Sequence, residues 1–214
     1  MKNSALDQEI EVKFMVLSLG GIQQRLERLG AELVQPRVYE LNLRFDDGQG
    51  TLSRSGQVLR LRRDDANHLT YKGPGQSSDV AMRQEIEFKL DDFDAAWRLL
   101  EALGYTVSVH YEKYRSMYRM GDVLVTLDEL PYGAFVEIEG PSSASIKTAA
   151  ASLNLDWKRR IIESYLSIYY RLCGRLGRSR RSRFGWCLGS WFRHRFCCRS
   201  GGGFCRWRFR CCGG

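Results

Sequence analysis

The stretch Glu9-Ile-Glu-Val-Lys-Phe14 decides how this chain is read. Side chains two apart on a strand share a face, so Glu9, Glu11 and Lys13 point one way and Ile10, Val12 and Phe14 the other. The block returns as Glu85-Ile-Glu-Phe-Lys-Leu90, and in part as Glu137-Ile-Glu-Gly140. A single strand of this kind is ordinary, because an antiparallel sheet with one wet face gives the same alternation. The set is not ordinary, because doubled acids and doubled bases occupy separate strands. The doubled bases are Arg60 with Arg62 in "VLRLRR" and Lys113 with Arg115 in "EKYRSMY".

Working outward, the body of the chain reads as a diverged internal duplication. Each of the first two blocks leads into an amphipathic segment ending in Leu-Glu-x-Leu-Gly, and then into further strands. Phe93, Trp97, Leu100 and Leu103 recur at helical spacing and predict one apolar face. Gly30 and Gly104 follow directly and suit helix C-caps. "HLTYKGPG" predicts a strand running into a Gly-Pro turn, and "DVLVTLDELPYGAFVEIEG" two strands joined at Pro131 to Gly133. "SASIKTAAASLNL" and "IIESYLSIYYRL" predict two closing helices. The expectation is an α+β domain: about eight strands in antiparallel meanders, with helices packed outside.

If the helices cover the apolar face, the charged face lines the inside of a closed barrel. The inward acids are then Glu9, Glu11, Glu85, Glu87, Asp128, Glu137 and Glu139. The inward bases are Lys13, Arg44, Arg60, Arg62, Lys72, Lys89, Lys113 and Arg115. Such a lumen is too costly to keep dry and must hold water and ligands. Clustered carboxylates attract hard divalent cations, and clustered Arg and Lys attract phosphate. A metal-bound polyphosphate satisfies both. His68 and His110 stand alone and read as surface or structural residues, and Tyr71, Tyr111 and Tyr118 as packing.

In these motifs the chain resembles the CYTH family, the triphosphate tunnel metalloenzymes, over about Glu9 to Leu166. That family includes class IV adenylate cyclases, thiamine triphosphatases and inorganic triphosphatases. Its N-terminal ExExK appears as Glu9-Ile-Glu-Val-Lys13, its Arg-x-Arg strand as Arg60-Leu-Arg62, and its following lysine as Lys72 in "YKGPG". Glu85 and Glu87 match its second-half acids, Lys113 and Arg115 its Lys-x-Arg strand, and Asp128, Glu137 and Glu139 its C-terminal acids. Arg44 is a departure, at a position where family members often carry an aromatic residue. The resemblance implies an eight-stranded antiparallel β-barrel, the triphosphate tunnel fold, binding a triphosphate with Mg²⁺ or Mn²⁺. Glu9, Glu11, Glu137 and Glu139 would hold metal, with Glu85, Glu87 and Asp128 as supporting acids. Arg60, Arg62, Lys72, Lys113 and Arg115 would hold phosphoryl oxygens. Lys13 would orient or activate the attacking water if its charged neighbours and burial lower its pKa. The nearest subgroup is class IV adenylate cyclase-like, turning ATP into cyclic AMP and pyrophosphate. Hydrolysis of thiamine triphosphate or inorganic triphosphate is the alternative, and a non-catalytic polyphosphate-binding module the second. The expected partner is a small-molecule triphosphate, with no nucleic acid and no membrane, in a monomer or homodimer.

The composition divides at Arg171. The whole chain of 214 residues carries a formal +8, but the last 44 residues hold 12 arginines, no lysine and no acid. The body is therefore about −4 and the tail +12. All seven cysteines lie in the tail, so the body has no disulfide framework, as suits a reducing cytoplasm. The N-terminus has no apolar signal-peptide core, and no segment approaches the roughly 20 apolar residues of a membrane span. The tail could be a basic aromatic arm for nucleic acid or a metal-binding Cys tract. It lacks paired C-x-x-C spacing and any period that would bury its aromatics. Most of it is Arg, Gly, Cys and Trp, whose codons share guanine at the second position, as an out-of-frame reading of a G-rich gene would produce. The expectation is a triphosphate tunnel domain over residues 1–170 and a disordered, frameshift-derived tail over 171–214.

Overall fold

The computed structural model describes residues 8–175. Nine strands and five helices follow in the order β1 (Gln8–Val16), α1 (Gly20–Arg28), β2 (Glu32–Asp46), α2 (Thr51–Arg54), β3 (Val58–Arg63), β4 (Asn67–Lys72), β5 (Gln76–Ser77), β6 (Ala81–Leu90), α3 (Phe93–Ala102), β7 (Thr106–Met120), β8 (Val123–Leu130), β9 (Gly133–Glu139), α4 (Ser143–Ser152) and α5 (Tyr165–Arg175). The sheet order is β1-β9-β8-β7-β2-β3-β4-β6-β5, and β1 also pairs with β6. That last pairing closes eight strands into an antiparallel barrel; two-residue β5 adds to the edge of β6. The expected architecture is therefore what folds.

The duplication is visible in the connectivity. Exchanging β1 with β6, β2 with β7, β3 with β8 and β4 with β9 reproduces the strand order reversed. Both long crossover helices end the same way. Ala31 N–H bonds the Leu26 carbonyl and Gly30 N–H that of Glu27; Tyr105 N–H bonds Leu100 and Gly104 N–H bonds Glu101. Gly30 and Gly104 sit at φ +70° and +88°, the left-handed conformation this C-cap requires.

The apolar faces of the strands point outward, under the helices. One core joins Val12, Phe14, Val125, Val136 and Ile138 to Ile22 and Leu26 of α1, Ile146 of α4 and Leu153 at the α4 C-cap. A second joins Leu43, Phe45 and Leu61 to Phe93 and Leu100 of α3. The helices do not cover the whole barrel. Ile86 and Phe88 on the outer face of β6 stay 42% and 52% exposed. Leu103, expected on the apolar face of α3, is the C-cap residue and is 64% exposed, because the chain there has already turned off the helix.

The closing segment departs from expectation. Residues 161–164 do not begin the last helix. Ile161 forms an antiparallel bridge to Lys13, with both backbone bonds made at 2.9 and 2.7 Å. The β1–β6 seam pairs only Gln8 to Glu11, so Ile161 takes the strand edge left free beyond it. Ser164 then accepts from the Ser167 N–H, and α5 starts at Tyr165. α5 runs through Arg171 to Arg175, so the boundary expected after residue 170 falls inside a helix. The expectation for the tail beyond Arg175 lies outside the described residues. Among the described residues no helix is long and apolar enough to cross a membrane.

Candidate functional site

The alternation that turns Ile10, Val12 and Phe14 outward turns Glu9, Glu11 and Lys13 into the barrel, where all three are buried. Lys72 on β4 donates to both oxygens of Glu9 at 2.7 and 2.8 Å and stands 3.0 Å from Glu85. Arg83 on β6 bonds Glu9 at 2.9 Å and Glu11 at 3.2 Å. Lys13 pairs with Glu11 and, at 3.1 Å, with Glu137 on β9. Further along the same wall, Arg62 on β3 bonds Glu87 on β6 at 2.9 Å. Arg60 reaches Glu87 at 3.4 Å and Thr70 at 3.2 Å. Arg115 grips both oxygens of Asp128 at 2.7 Å and touches Glu137 at 3.2 Å, and Lys113 stands 3.3 Å from Asp128. Twelve of the thirteen expected site residues thus form one ion-paired network lining the lumen.

The thirteenth, Glu139, differs. It sits opposite Glu11 in the β1–β9 register, and its carboxylate makes no ion pair or hydrogen bond among the described residues. Burial pushes its carboxyl up to about 7, helped by the charges of Glu9, Glu137, Glu85 and Glu11. Glu85 is likewise pushed up to about 7, by burial first, against the pull of Lys72. Burial would also raise Glu9 and Glu137, but Lys72 and Arg83 outweigh it at Glu9, and Lys13 and Arg115 at Glu137, holding both well below the usual carboxylate range.

Lys13 meets one expectation and not another. It faces the lumen beside the acids. Its ammonium is not easier to deprotonate: burial would lower its pKa, but Glu11 and Glu137 outweigh burial and raise it. In this ion-paired state Lys13 is a cation, not a base. Lys89 stands exposed at the rim.

Several lumen residues were not singled out from the sequence. Glu40 is 0% exposed and lies 3.4 Å from Lys113, 3.7 Å from Arg115 and 3.8 Å from Arg62. Its carboxyl also accepts from Asn42 at 2.8 Å. Burial opposes its ionisation, but Lys113, Arg115 and Arg62 prevail and hold it low. Glu40, Asn42 and Arg83 had a signal, since they alternate in step with Arg44 and with Glu85. His68 is buried rather than on the surface, its Nδ1 3.2 Å from Glu87 and its Nε2 3.6 Å from Asp64. Tyr165 had no signal. It comes from α5 to donate to Asp128 at 2.6 Å, its ring 5.2 Å from the ammonium groups of both Lys13 and Lys113. With Tyr132 bonding the Tyr165 carbonyl at 2.9 Å, α5 is fastened across this end of the lumen.

Four buried polar atoms in the lumen find no hydrogen-bond partner among the described residues: Glu40 Oε2, Asn42 Oδ1, Arg60 Nε and Arg62 Nε. Orphaned buried atoms of both signs mark a place where a ligand can bond. The acids fit a divalent cation in chemistry, being hard oxygen donors with one carboxylate, Glu139, left uncompensated among like charges. They are not a finished cage. Among the described residues no three metal-donor side chains stand together, because Glu9, Glu11 and Glu137 are each turned to a lysine or arginine.

A family model described as "CYTH domain" matches residues 7–164. The Methanocaldococcus jannaschii protein named "Putative adenylate cyclase" is 26% identical over 133 residues, which is 61% of this chain and 75% of that one. A Pyrococcus horikoshii protein of known structure is 26% identical, with a TM-score of 0.64 over 74% of this chain and 98% of its own. A Vibrio parahaemolyticus structure described as "a putative adenylate cyclase" shares the fold at a TM-score of 0.69 and 23% identity, covering 76% and 97% of the two chains. A Hippeastrum structure, whose description speaks of "a dominant triphophatase activity", shares it at 0.57 and 19%, covering 82% and 99%.

Proposed function

The chain belongs to the CYTH domain family, and from that premise we propose that it is a metal-dependent enzyme acting on a triphosphate held in the barrel lumen. The observation that carries this is the pairing of the lumen charges. Arg60, Arg62, Lys72, Lys113 and Arg115 are each held by a carboxylate at 2.7–3.4 Å, leaving buried atoms without a hydrogen bond on Arg60, Arg62 and Glu40. Carboxylate oxygens there stand where phosphoryl oxygens would bind, and lysines stand where a metal would sit against the acids. Ligand and metal entering together can exchange every ion pair for another of the same sign pattern, so neither set of charges is left bare. Glu11, Glu137 and Glu139, with Glu9, would hold Mg²⁺ or Mn²⁺, which when bound neutralises phosphoryl charge and aligns the reacting oxygens.

ATP cyclisation is the first reading, following the name of the Methanocaldococcus jannaschii relative. The ribose 3′ oxygen forms a bond to the α-phosphorus, the bond from that phosphorus to its bridging oxygen breaks, pyrophosphate leaves, and the hydroxyl proton passes to solvent. The chain's own part is positioning and charge stabilisation by fixed cations. Lys13 serves as an ammonium facing the phosphoryl charge. Hydrolysis is the second reading, because the Hippeastrum protein of the same fold is described by its triphosphatase activity. Incubating purified protein with ATP, thiamine triphosphate or inorganic triphosphate under Mg²⁺ and under Mn²⁺, and identifying the products, tests both. Cyclic AMP with pyrophosphate supports cyclisation and orthophosphate supports hydrolysis. Tight binding without turnover leaves a binding module and refutes the enzyme.

A further inference from the structure

Arg44 and Arg60 lie directly opposite one another on β2 and β3, both facing the lumen. Like charges in that position destabilise a sheet. Arg60 has acids to lean on, Glu87 at 3.4 Å and Glu85 at 3.9 Å, both on β6, the strand beyond β4. Arg44 has none: among the described residues its guanidinium makes no ion pair and no hydrogen bond. Burial, with Arg60 and Arg83 adding to it, weighs against its charge, while Tyr111 and Tyr170 favour it. The Nε of Arg60, in the same pair, is buried without an acceptor. Two facing guanidiniums with spare donors are what a phosphoryl group, with three oxygens, can bridge.

Position narrows the ligand further. Tyr170 belongs to α5, which is tied to Asp128 and Tyr132 across the lumen end carrying Arg44. A helix fastened across that end narrows it, which leaves a compact anionic group easier to seat there than a nucleoside. The opposite end carries Lys89, exposed at the rim.

Resting on the triphosphate reading above, we infer that the Arg44–Arg60 pair seats the terminal phosphoryl group, so that the tail of the ligand points at α5 and its organic part at the opposite end. Arg44 is then a binding residue for the γ-phosphate, and the like-charge pair is relieved only when that group arrives.

The test measures Kd by calorimetry for ATP and for ATP esterified by methyl on its γ-phosphate, with the full chain and its Arg44→Gln and Arg44→Lys variants. Arg44→Gln should raise the Kd of ATP about tenfold, which is about 1.4 kcal/mol, and that of the ester less than about twofold. Arg44→Lys should recover part of the loss. The non-additivity of the two changes reports direct contact, which a diffuse field would not give. Arg44→Gln removes an unpaired charge, so its melting temperature should not fall; Arg44→Lys, keeping the discrimination between the two ligands, carries the test if it does. Equal weakening of both ligands, or of neither, overturns the inference and leaves the triphosphate reading standing. Failure of the wild-type chain to bind ATP, thiamine triphosphate and inorganic triphosphate alike, with or without Mg²⁺, overturns both.

Discussion

Replacing Glu40 by Gln should be among the most destabilising isosteric changes in the lumen. The side chain is fully buried, and three cations, Lys113, Arg115 and Arg62, stand within 3.4–3.8 Å. Gln keeps the volume and can still accept the Asn42 hydrogen bond, so the change isolates the charge. Removing one partner of a buried ion pair costs about 3–5 kcal/mol. The lower end applies, because Arg62 retains Glu87 and both Lys113 and Arg115 retain Asp128. For a chain of this size each kcal/mol is worth about 2–4 °C, so about 3 kcal/mol predicts a fall of about 6–12 °C at pH 7. Inorganic triphosphate should restore much of it by neutralising the same cations. The pH dependence has a fixed sign. Glu40 is held low in the folded protein, so its contribution is complete above the unfolded value near 4.3 and is lost as pH falls through the folded pKa. The two melting curves should therefore converge in acid. A melting temperature at pH 7 within about 2 °C of wild type would refute the reasoning, because it would mean that Glu40 holds nothing together.

Glu137→Gln and Glu139→Gln should each abolish metal-dependent turnover while circular dichroism shows an intact fold; full activity at limiting metal would displace the proposed metal site. Glu139, at about 7, keeps its proton longer folded than unfolded, so wild type loses stability as pH rises from about 4.3 to 7. Glu139→Gln should therefore melt higher than wild type at pH 8, and metal affinity, read by calorimetry, should climb between pH 6 and 8. Arg60→Ala and Arg62→Ala each remove a charge-assisted contact worth about 1.5–3 kcal/mol, so the Kd of inorganic triphosphate should rise at least about tenfold while adenosine binding is unchanged. A chain ending at Arg175 should keep the melting temperature and triphosphate affinity of the full chain, since every lumen contact described above lies before that residue.

Alternation made the barrel and most of its lumen legible. Glu9, Glu11 and Lys13 face inward for the same reason that Val12 and Phe14 are buried outward, and period two states both at once. Partners were less legible. Nothing in "YELNLRF" says that Glu40 will stand between three cations, because that depends on β3 and β7 flanking β2 in one register. The partners of Arg83 were hidden for the same reason: its place beside Glu9 is set by the four-residue β1–β6 seam. Tyr165 was out of reach altogether. It reaches Asp128 only because Ile161 departs from helical geometry to complete the edge of β1, a tertiary demand that overrides local propensity. The protonated state of Lys13 was likewise invisible, since it is the outcome of burial set against two neighbouring carboxylates.

The most direct test is a crystal structure of the protein with Mn²⁺ and a non-hydrolysable ATP analogue, read by the anomalous signal of manganese. The account predicts a manganese peak inside the barrel against Glu11, Glu137 and Glu139, with phosphoryl oxygens on Arg60, Arg62, Lys113 and Arg115 and their ion pairs to Glu87 and Asp128 loosened. Manganese outside the barrel, with those ion pairs unchanged, would contradict it.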